Sequence, residues 1–318
     1  MSKTLLEYSD LLAERNLRWP AAPKLEPASA TPSIKPMDDV RAVTWSLYGT
    51  LLRITDGELL LLHPQAIRMD VAIEKTIHEF NMWNSMTRRP GKPSDSLLPK
   101  YLNALEDARL RSNSPKGEVL EVDATHVWRK LIGLLNKKEY RYDESIFGDL
   151  DELAVKVAYF FQRSLQGTEA APEALATLMA LQEGGIRQAA LADAQSFTLV
   201  QLTQALRSQG AIRSVQEFLP ESLNTLSYEW GLRKPSVSLY AQAILRFQEL
   251  GIEPFQILHV GTRIQDDLAV AKSCGLRTVL YAGDKTSLQA SAADLRNPVT
   301  RPDRLITELS QIRDILQV

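Results

Sequence analysis

The stretch Arg41-Ala42-Val43-Thr44-Trp45-Ser46-Leu47-Tyr48-Gly49-Thr50-Leu51-Leu52-Arg53-Ile54 decides the fold. Ala42 to Leu47 is a short, mainly apolar run, followed at once by Tyr48-Gly49-Thr50-Leu51. The pattern predicts a strand that ends in a tight turn. Such a strand presents side chains and backbone amides at its C-terminal edge, which is where open parallel sheets bind ligands. Immediately downstream, Leu51–Ile54 and Glu58–Leu62 flank Thr55-Asp56-Gly57, and two apolar runs around Asp-Gly predict a β-hairpin.

Further outward the periodicity changes. Residues 64–166 read as mostly helical, with helices expected over Ala66–Phe80, Leu97–Leu110, Ala124–Leu135 and Leu150–Leu165 and a Pro/Gly/Ser loop over 88–96. The aromatics Trp83, Trp128, Tyr140 and Tyr142 could line a pocket, but such residues more often fill a helical core. From Pro172 onward helix and strand alternate, with strands expected at Ile186–Leu191, Ile257–Val260 and Thr278–Tyr281 and a closing helix at Arg304–Leu316. This spacing means βαβ units and a parallel sheet. The expected class is α/β, a Rossmann-like doubly wound parallel core with an inserted, mostly helical second unit.

Before the deciding strand, residues 3–16 suit an amphipathic helix, and Pro20, Pro23, Pro27, Pro32 and Pro36 predict an extended linker over 19–37. This extension reads either as a helix strapped to the main body or as an arm for a protein partner or oligomer. The 318-residue chain has a net charge of −2, a hydrophobic content of 44% and one cysteine, Cys274. That balance argues against nucleic acid or an anionic membrane surface as partner. No apolar run approaches a membrane span, and the N-terminal residues lack the apolar core of a signal peptide. With no intrachain disulfide to form, the expectation is a cytoplasmic protein and a buried, packing role for Cys274.

The stretch 41–54 resembles the first motif of the haloacid dehalogenase superfamily: apolar strand, Asp, any residue, Asp or Tyr, Gly, Thr, Leu. Three further motif positions follow in order. Gln188-Ala189-Ala190-Leu191-Ala192-Asp193 fills the second, Gly231-Leu232-Arg233-Lys234-Pro235 the third, and Gly261-Thr262-Arg263-Ile264-Gln265-Asp266-Asp267 the fourth. The resemblance covers about residues 40–318. It implies an N-terminal helix and linker over 1–37, a core formed by 38–62 and 168–318, and a class-one helical cap over 63–167 that closes on the catalytic edge.

The resemblance also shows where this chain departs. The family's nucleophilic Asp falls on Ser46, its second-motif hydroxyl on Ala192, and a direct magnesium ligand on Thr262. Lys234 and Asp267 keep their motif positions, and Tyr48 takes the Asp-or-Tyr position. The hydrolases of the family attack with a carboxylate and form an aspartyl ester. A serine hydroxyl needs a base within hydrogen-bond reach, and Tyr48 is a poor base near neutrality. Of the histidines, His259 lies inside a strand and is expected to pack within the sheet, so spacing alone shows no Ser-His-Asp arrangement. Magnesium wants carboxylate oxygens, and only Asp266 and Asp267 remain as weak candidates. No cofactor is therefore expected, with Mg2+ reserved for a working hydrolase. A buried Lys234 would be costly unpaired, so a Lys234–Asp267 pair is the economical arrangement.

Three functional readings stand. The first is a hydrolase-fold protein that has lost phosphohydrolase or dehalogenase activity and scaffolds, or binds a small anionic ligand through Gly49 and Thr50 amides, Ala192, Asp193, Lys234 and Arg263. The second is an active hydrolase with a non-standard nucleophile, Asp193 or Asp267; the competing role for Asp193 is to cap the next helix. The third is an interaction module working through residues 1–37.

Overall fold

The computed structural model describes residues 2–85, 91–110 and 117–318. Ten strands follow in chain order: β1 (Ala42–Trp45), β2 (Leu52–Ile54), β3 (Val119–Leu120), β4 (Thr168–Ala170), β5 (Arg187–Ala192), β6 (Thr225–Leu226), β7 (Leu232–Arg233), β8 (Ile257–Gly261), β9 (Arg277–Tyr281) and β10 (Arg304–Ile306). The α-helices are α1 (Leu5–Glu14), α2 (Ala66–Glu79), α3 (Pro93–Leu110), α4 (Ala124–Asn136), α5 (Glu144–Phe147), α6 (Leu150–Leu165), α7 (Ala174–Glu183), α8 (Thr198–Leu206), α9 (Ser227–Trp230), α10 (Val237–Gln248), α11 (Ala269–Ser273), α12 (Ala292–Arg296) and α13 (Gln311–Leu316). Among the described residues no helix is long and apolar enough to cross a membrane.

The main sheet has six strands in the order β10-β9-β8-β1-β5-β6, paired in parallel throughout. Its centre is the strand that opens the sequence reading, held between β5 and β8. All of β1 is buried, as expected for a central strand covered on both faces. Period two then sorts the side chains. Val43 and Trp45 join the apolar cluster that includes residues of α7, α8 and α13, while Ala42 joins the opposite cluster with residues of α10 and α11. The α/β architecture and the doubly wound parallel core are as the sequence predicts.

The helices between β2 and β4 form a separate packed bundle. α2, α3, α4 and α6 neighbour one another, around Tyr101, Trp128 and Phe161 with ring centroids 5.0–5.3 Å apart. Local chemistry sets the helix starts. Asp123 accepts from the Thr125 amide at the head of α4, and Asp149 with Glu152 makes a capping box on α6, each cap contributing about 1 kcal/mol. Trp128 and Tyr140 are core residues, and Trp83 is 48% exposed.

The closing helix expected over Arg304–Leu316 forms only from Gln311, since Arg304–Ile306 is strand β10, and two other local expectations fail. The leucine run 58–62 forms no strand and no hairpin; β2 pairs instead with β4, antiparallel, where the chain leaves the bundle. Side chains of α6 and its C-cap replace the missing ladder. Gln166 accepts from the Leu60 amide at 2.9 Å and donates to the Glu58 carbonyl at 2.9 Å, and Gln162 donates to the Leu60 carbonyl at 3.3 Å. Leu59 and Leu61 pack on the bundle core. The second miss is the loop over 88–96. Residues 86–90 lie outside the described residues, and from Pro93 the chain is already helical, with proline at the first position where its missing amide costs nothing.

The N-terminal extension lies on the body. α1 buries Tyr8 and Leu12 in the bundle's apolar cluster. Residues 16–41 hold only an isolated bridge, Ser33 to Leu305, apart from a turn before β1.

Candidate active-site cleft

β1 and β8 lie side by side with Thr44 opposite His259. Both side chains point to the same face, and Ser46, two residues beyond Thr44, points there as well. Lys234 reaches this point from the segment after β7, and Asp267 from a single π-helical turn, Ile264–Leu268, that leads into α11. π turns often mark functional sites because they re-aim side chains.

These residues form one closed cluster. The Ser46 hydroxyl donates to Asp267 Oδ2 at 2.5 Å and accepts from Lys234 Nζ at 2.6 Å. Lys234 Nζ also lies 2.5 Å from Asp267 Oδ1, the pair anticipated on charge grounds. Tyr240 donates its hydroxyl to Asp267 Oδ1 at 2.9 Å, and His259 Nε2 is 2.9 Å from the same oxygen. His259 Nδ1 meets Thr44 Oγ1 at 2.8 Å. The consistent tautomer has Thr44 donating to Nδ1 and Nε2–H donating to Asp267. Ser46 is 8% exposed, and Lys234, Asp267 and His259 are at most 2% exposed.

The electrostatics follow from that enclosure. Burial alone would raise the Asp267 carboxyl, but Lys234, His259 and Arg263 hold it well below the ordinary carboxylate range. Burial lowers the Lys234 ammonium while Asp267 pulls the other way. Burial likewise lowers His259, which stays neutral. Burial and the Asp267 charge raise the Tyr240 hydroxyl, which stays a donor.

This is not a catalytic triad. A triad histidine meets the carboxylate through one ring nitrogen and the serine through the other. Here Nε2 faces Asp267, Lys234 and, at 3.4 Å, Ser46, while Nδ1 is taken by Thr44. Lys234 and His259 Nε2 both converge on Asp267, and the serine hydroxyl is itself turned to that carboxylate, so no histidine relays its proton as in a triad.

Above the cluster is a cleft of about 290 Å³, lined by Ser46–Tyr48 and residues 193–195 of the core, by 57–62, and by Arg109 and 119–122 of the bundle. The Asp193 carboxylate faces it. Its Oδ2 accepts from Arg263 at 2.6 Å, and its Oδ1 accepts from the Lys234 amide at 2.8 Å. Arg233 approaches Asp193 only to 3.9 Å and keeps 39% of its side chain exposed. Asp193 does not cap the following helix; the N-cap of α8 is Phe197, and no side chain caps it.

Several expected site residues are not aimed at a ligand, although Tyr48 and Thr262 line the cleft. The Gly49 and Thr50 amides do not face a ligand: they bond to the Leu52 carbonyl at 2.8 Å and the Leu47 carbonyl at 3.2 Å inside the turn. Gly49 is required there, because its φ is +86° and a Cβ would sit 2.7 Å from Ser287 Cβ. The Tyr48 hydroxyl donates to Gln201 Oε1 at 2.7 Å, away from the serine cluster. Ala192 closes β5, wholly buried and without a donor. Thr262 is buried, and Asp266 is exposed on the far side of the π turn from the buried Asp267.

Sequence reasoning missed Thr44, His259 and Tyr240 as members of one network. The signal was present: polar residues at matching positions inside two apolar strands. It also missed Glu121, beside β3. Its carboxylate accepts from Ser227 at 2.6 Å, and burial pushes it up to about 7 despite that bond and Arg233.

The donor set does not fit a divalent cation. The two direct carboxylate positions hold Ser46 and Thr262, Asp267 is saturated by an ammonium and neutral donors, and Asp266 points to solvent. Among the described residues no group of His, Cys, Asp and Glu could hold a metal.

A parallel core in this strand order, a helical insertion after the first strand, and a lysine–aspartate pair at the carboxyl edge of β1 define a hydrolase-like α/β fold. It is the fold of the haloacid dehalogenase superfamily, and residues 231–312, which carry Lys234 and Asp267, match the HAD-hydrolase-like family model. The chain is similar to the 2-haloacid dehalogenase of Pseudomonas syringae pv. Tomato DC3000, at 18% identity over 87% of this chain and 97% of that one, with a TM-score of 0.51. It also aligns with a predicted phosphoglycolate phosphatase from Haemophilus somnus 129pt, at 15% identity over 88% of this chain and 99% of that one, with a TM-score of 0.43. No curated protein sequence matches the chain.

Proposed function

We propose that this protein uses a hydrolase fold to bind a small anion and no longer hydrolyses through an aspartyl ester. One observation carries the reading. At the nucleophile position a serine hydroxyl is locked between an ammonium donor and a carboxylate acceptor, 2.6 and 2.5 Å away. The cluster is close to neutral as it stands, so it needs neither a metal nor a substrate to balance its charge.

The cleft above favours an anion. Arg233 keeps 39% of its side chain exposed and meets Asp193 only at 3.9 Å, while Asp193 is held more closely by Arg263 and the Lys234 amide. Glu121, raised to about 7, carries only part of a negative charge near neutrality. Calorimetric titration with inorganic phosphate and with acetate, alongside assays of phosphate-ester turnover with Mg2+, tests the reading. Saturable binding weakened about tenfold by Arg233→Ala, a change of about 1.4 kcal/mol, with no turnover, is expected. Magnesium-dependent turnover abolished by Lys234→Ala, or no saturable binding of either anion, would sink it.

A second reading rests on Asp193, the motif carboxylate that faces the cleft. A working hydrolase with a non-standard nucleophile would use it, and turnover lost in Asp193→Asn but kept in Ser46→Ala would favour that reading.

A further inference from the structure

Residues 2–37 touch three parts of the molecule that a moving lid would have to separate. On the bundle, α1 seals Tyr8 and Leu12 into the apolar cluster, and Arg15 pairs with Glu79 of α2 at 2.6 Å. Across the gap, the same helix meets core helix α8. Gln204 donates to Ser9 Oγ at 2.7 Å and to Asp10 Oδ1 at 2.5 Å, and Arg207 pairs with Asp10. Beyond α1, the chain passes over the joint through which the bundle returns to the core. Gly167, whose carbonyl accepts from the Thr55 amide at 3.0 Å, lies so close to the Ala21 carbonyl that a Cβ would be 2.0 Å from its oxygen. The strap then fastens to the core, where Arg53 donates to the Pro23 carbonyl at 2.7 Å and the Lys285 amide to the Glu26 carbonyl at 2.7 Å.

We propose that residues 2–37 are a clasp that holds the helical bundle shut over the cleft, so that access to the Ser46 edge is set by release of this segment. The inference does not depend on what the cleft binds. A rotation of the bundle about the Thr55–Gly167 joint has to break α1 from either α6 or α8 and drag the strap past Gly167. The clasp is matched on the opposite rim by the β3–β7 ladder, with Leu120 opposite Leu232, and by Gln195, which accepts from the Ala124 amide at 2.8 Å and donates to the Val122 carbonyl at 2.9 Å. Of those inner ties the Ala124–Gln195 bond is buried, while the two-residue β3–β7 ladder is partly exposed. The ties of α1 to its neighbours are the more releasable ones: the Asp10–Arg207 side chains are 43% and 28% exposed, and Arg15 is 49% exposed, although its partner Glu79 is only 8% exposed. Exposed ion pairs are individually weak and screened by salt, so this side opens first.

The test is hydrogen exchange on the full chain, comparing the native sequence with the double variant Asp10→Ala/Arg15→Ala. That variant leaves the apolar face of α1 intact. Release of the clasp is expected to speed exchange in peptides spanning 119–122 and 231–234 by roughly fivefold or more, while those covering β1 and β8 are unchanged. The same acceleration is expected for the native chain at high salt. Acceleration confined to residues 2–19, no acceleration at all, or an equal rise in β1 and β8 would overturn the proposal. As a second handle, Gly167→Ala, which displaces the strap without touching any charge, should give the same pattern.

Discussion

Ser46 Oγ lies 2.5 Å from Asp267 Oδ2, although the two residues come from opposite ends of the core and neither has a partner to spare. Asp267 also accepts from Tyr240, Lys234 and His259. Removing the hydroxyl strands one buried carboxylate oxygen and one ammonium proton. Ser46→Ala is therefore expected to destabilise the fold by about 1–3 kcal/mol, read as a lower urea midpoint with an unchanged slope. Ser46→Cys, which is near in shape but a weak donor, should fall between. A neutral Ser46→Ala would mean that water replaces the hydroxyl.

The same cluster sets an acid limb. Burial holds His259 below its ordinary value, so the unfolded chain takes up a proton near pH 6.5 that the folded chain refuses. Stability therefore falls as pH drops from about 6.5, with a slope of up to about 1.4 kcal/mol per pH unit for this one proton. Asp267, held low in the fold, adds a second decline below about pH 4, where its unfolded carboxyl protonates first. Urea unfolding at a series of pH values should show both limbs. His259→Gln should flatten the limb between about pH 6.5 and 5; an unchanged limb would place its source elsewhere.

Glu121 works in the other direction. Its folded value, about 7, lies above that of an unfolded glutamate, so its contribution is present at low pH and lost as pH rises toward and through 7. Glu121→Gln keeps an acceptor for Ser227 and removes the charge. It should stabilise the protein more at pH 8 than at pH 4, by up to a few kcal/mol for a shift from about 4.3 to about 7, which thermal melts at the two pH values would show. Equal effects at both would mean that the carboxyl does not titrate in this range.

The parallel sheet, the helical insertion and the Lys234–Asp267 pair were legible because each follows from local pattern or from charge balance. α6 runs over Leu150–Leu165 as its periodicity predicts. The failures share a cause: a distant side chain or a strand register decided the outcome. Gln162 and Gln166 occupy the backbone groups that a hairpin over 58–62 would have paired. The Gly49 and Thr50 amides are consumed by their own turn. His259 became a site residue only when parallel pairing set it opposite Thr44. Glu121 follows a strand of two residues, too short for alternation to identify.

The sharpest remaining prediction concerns restoration. If the site is silent because two carboxylates are missing, replacing Ser46 and Thr262 together by aspartate should recreate a divalent-cation site. Ser46→Asp alone places a second carboxylate against Asp267 with Lys234 as the one cation in direct contact, so the single variant should be less stable and indifferent to magnesium. The double variant should gain thermal stability on adding Mg2+, by about 2.7 kcal/mol when magnesium reaches a hundredfold excess over its dissociation constant. The melt of the native chain should not move under the same conditions, because Asp267 is already saturated and Asp266 points to solvent. A magnesium shift in the native chain would overturn the reading of the donor set. No shift in the double variant would mean that the Lys234–Asp267–His259 network has become too rigid to admit an ion.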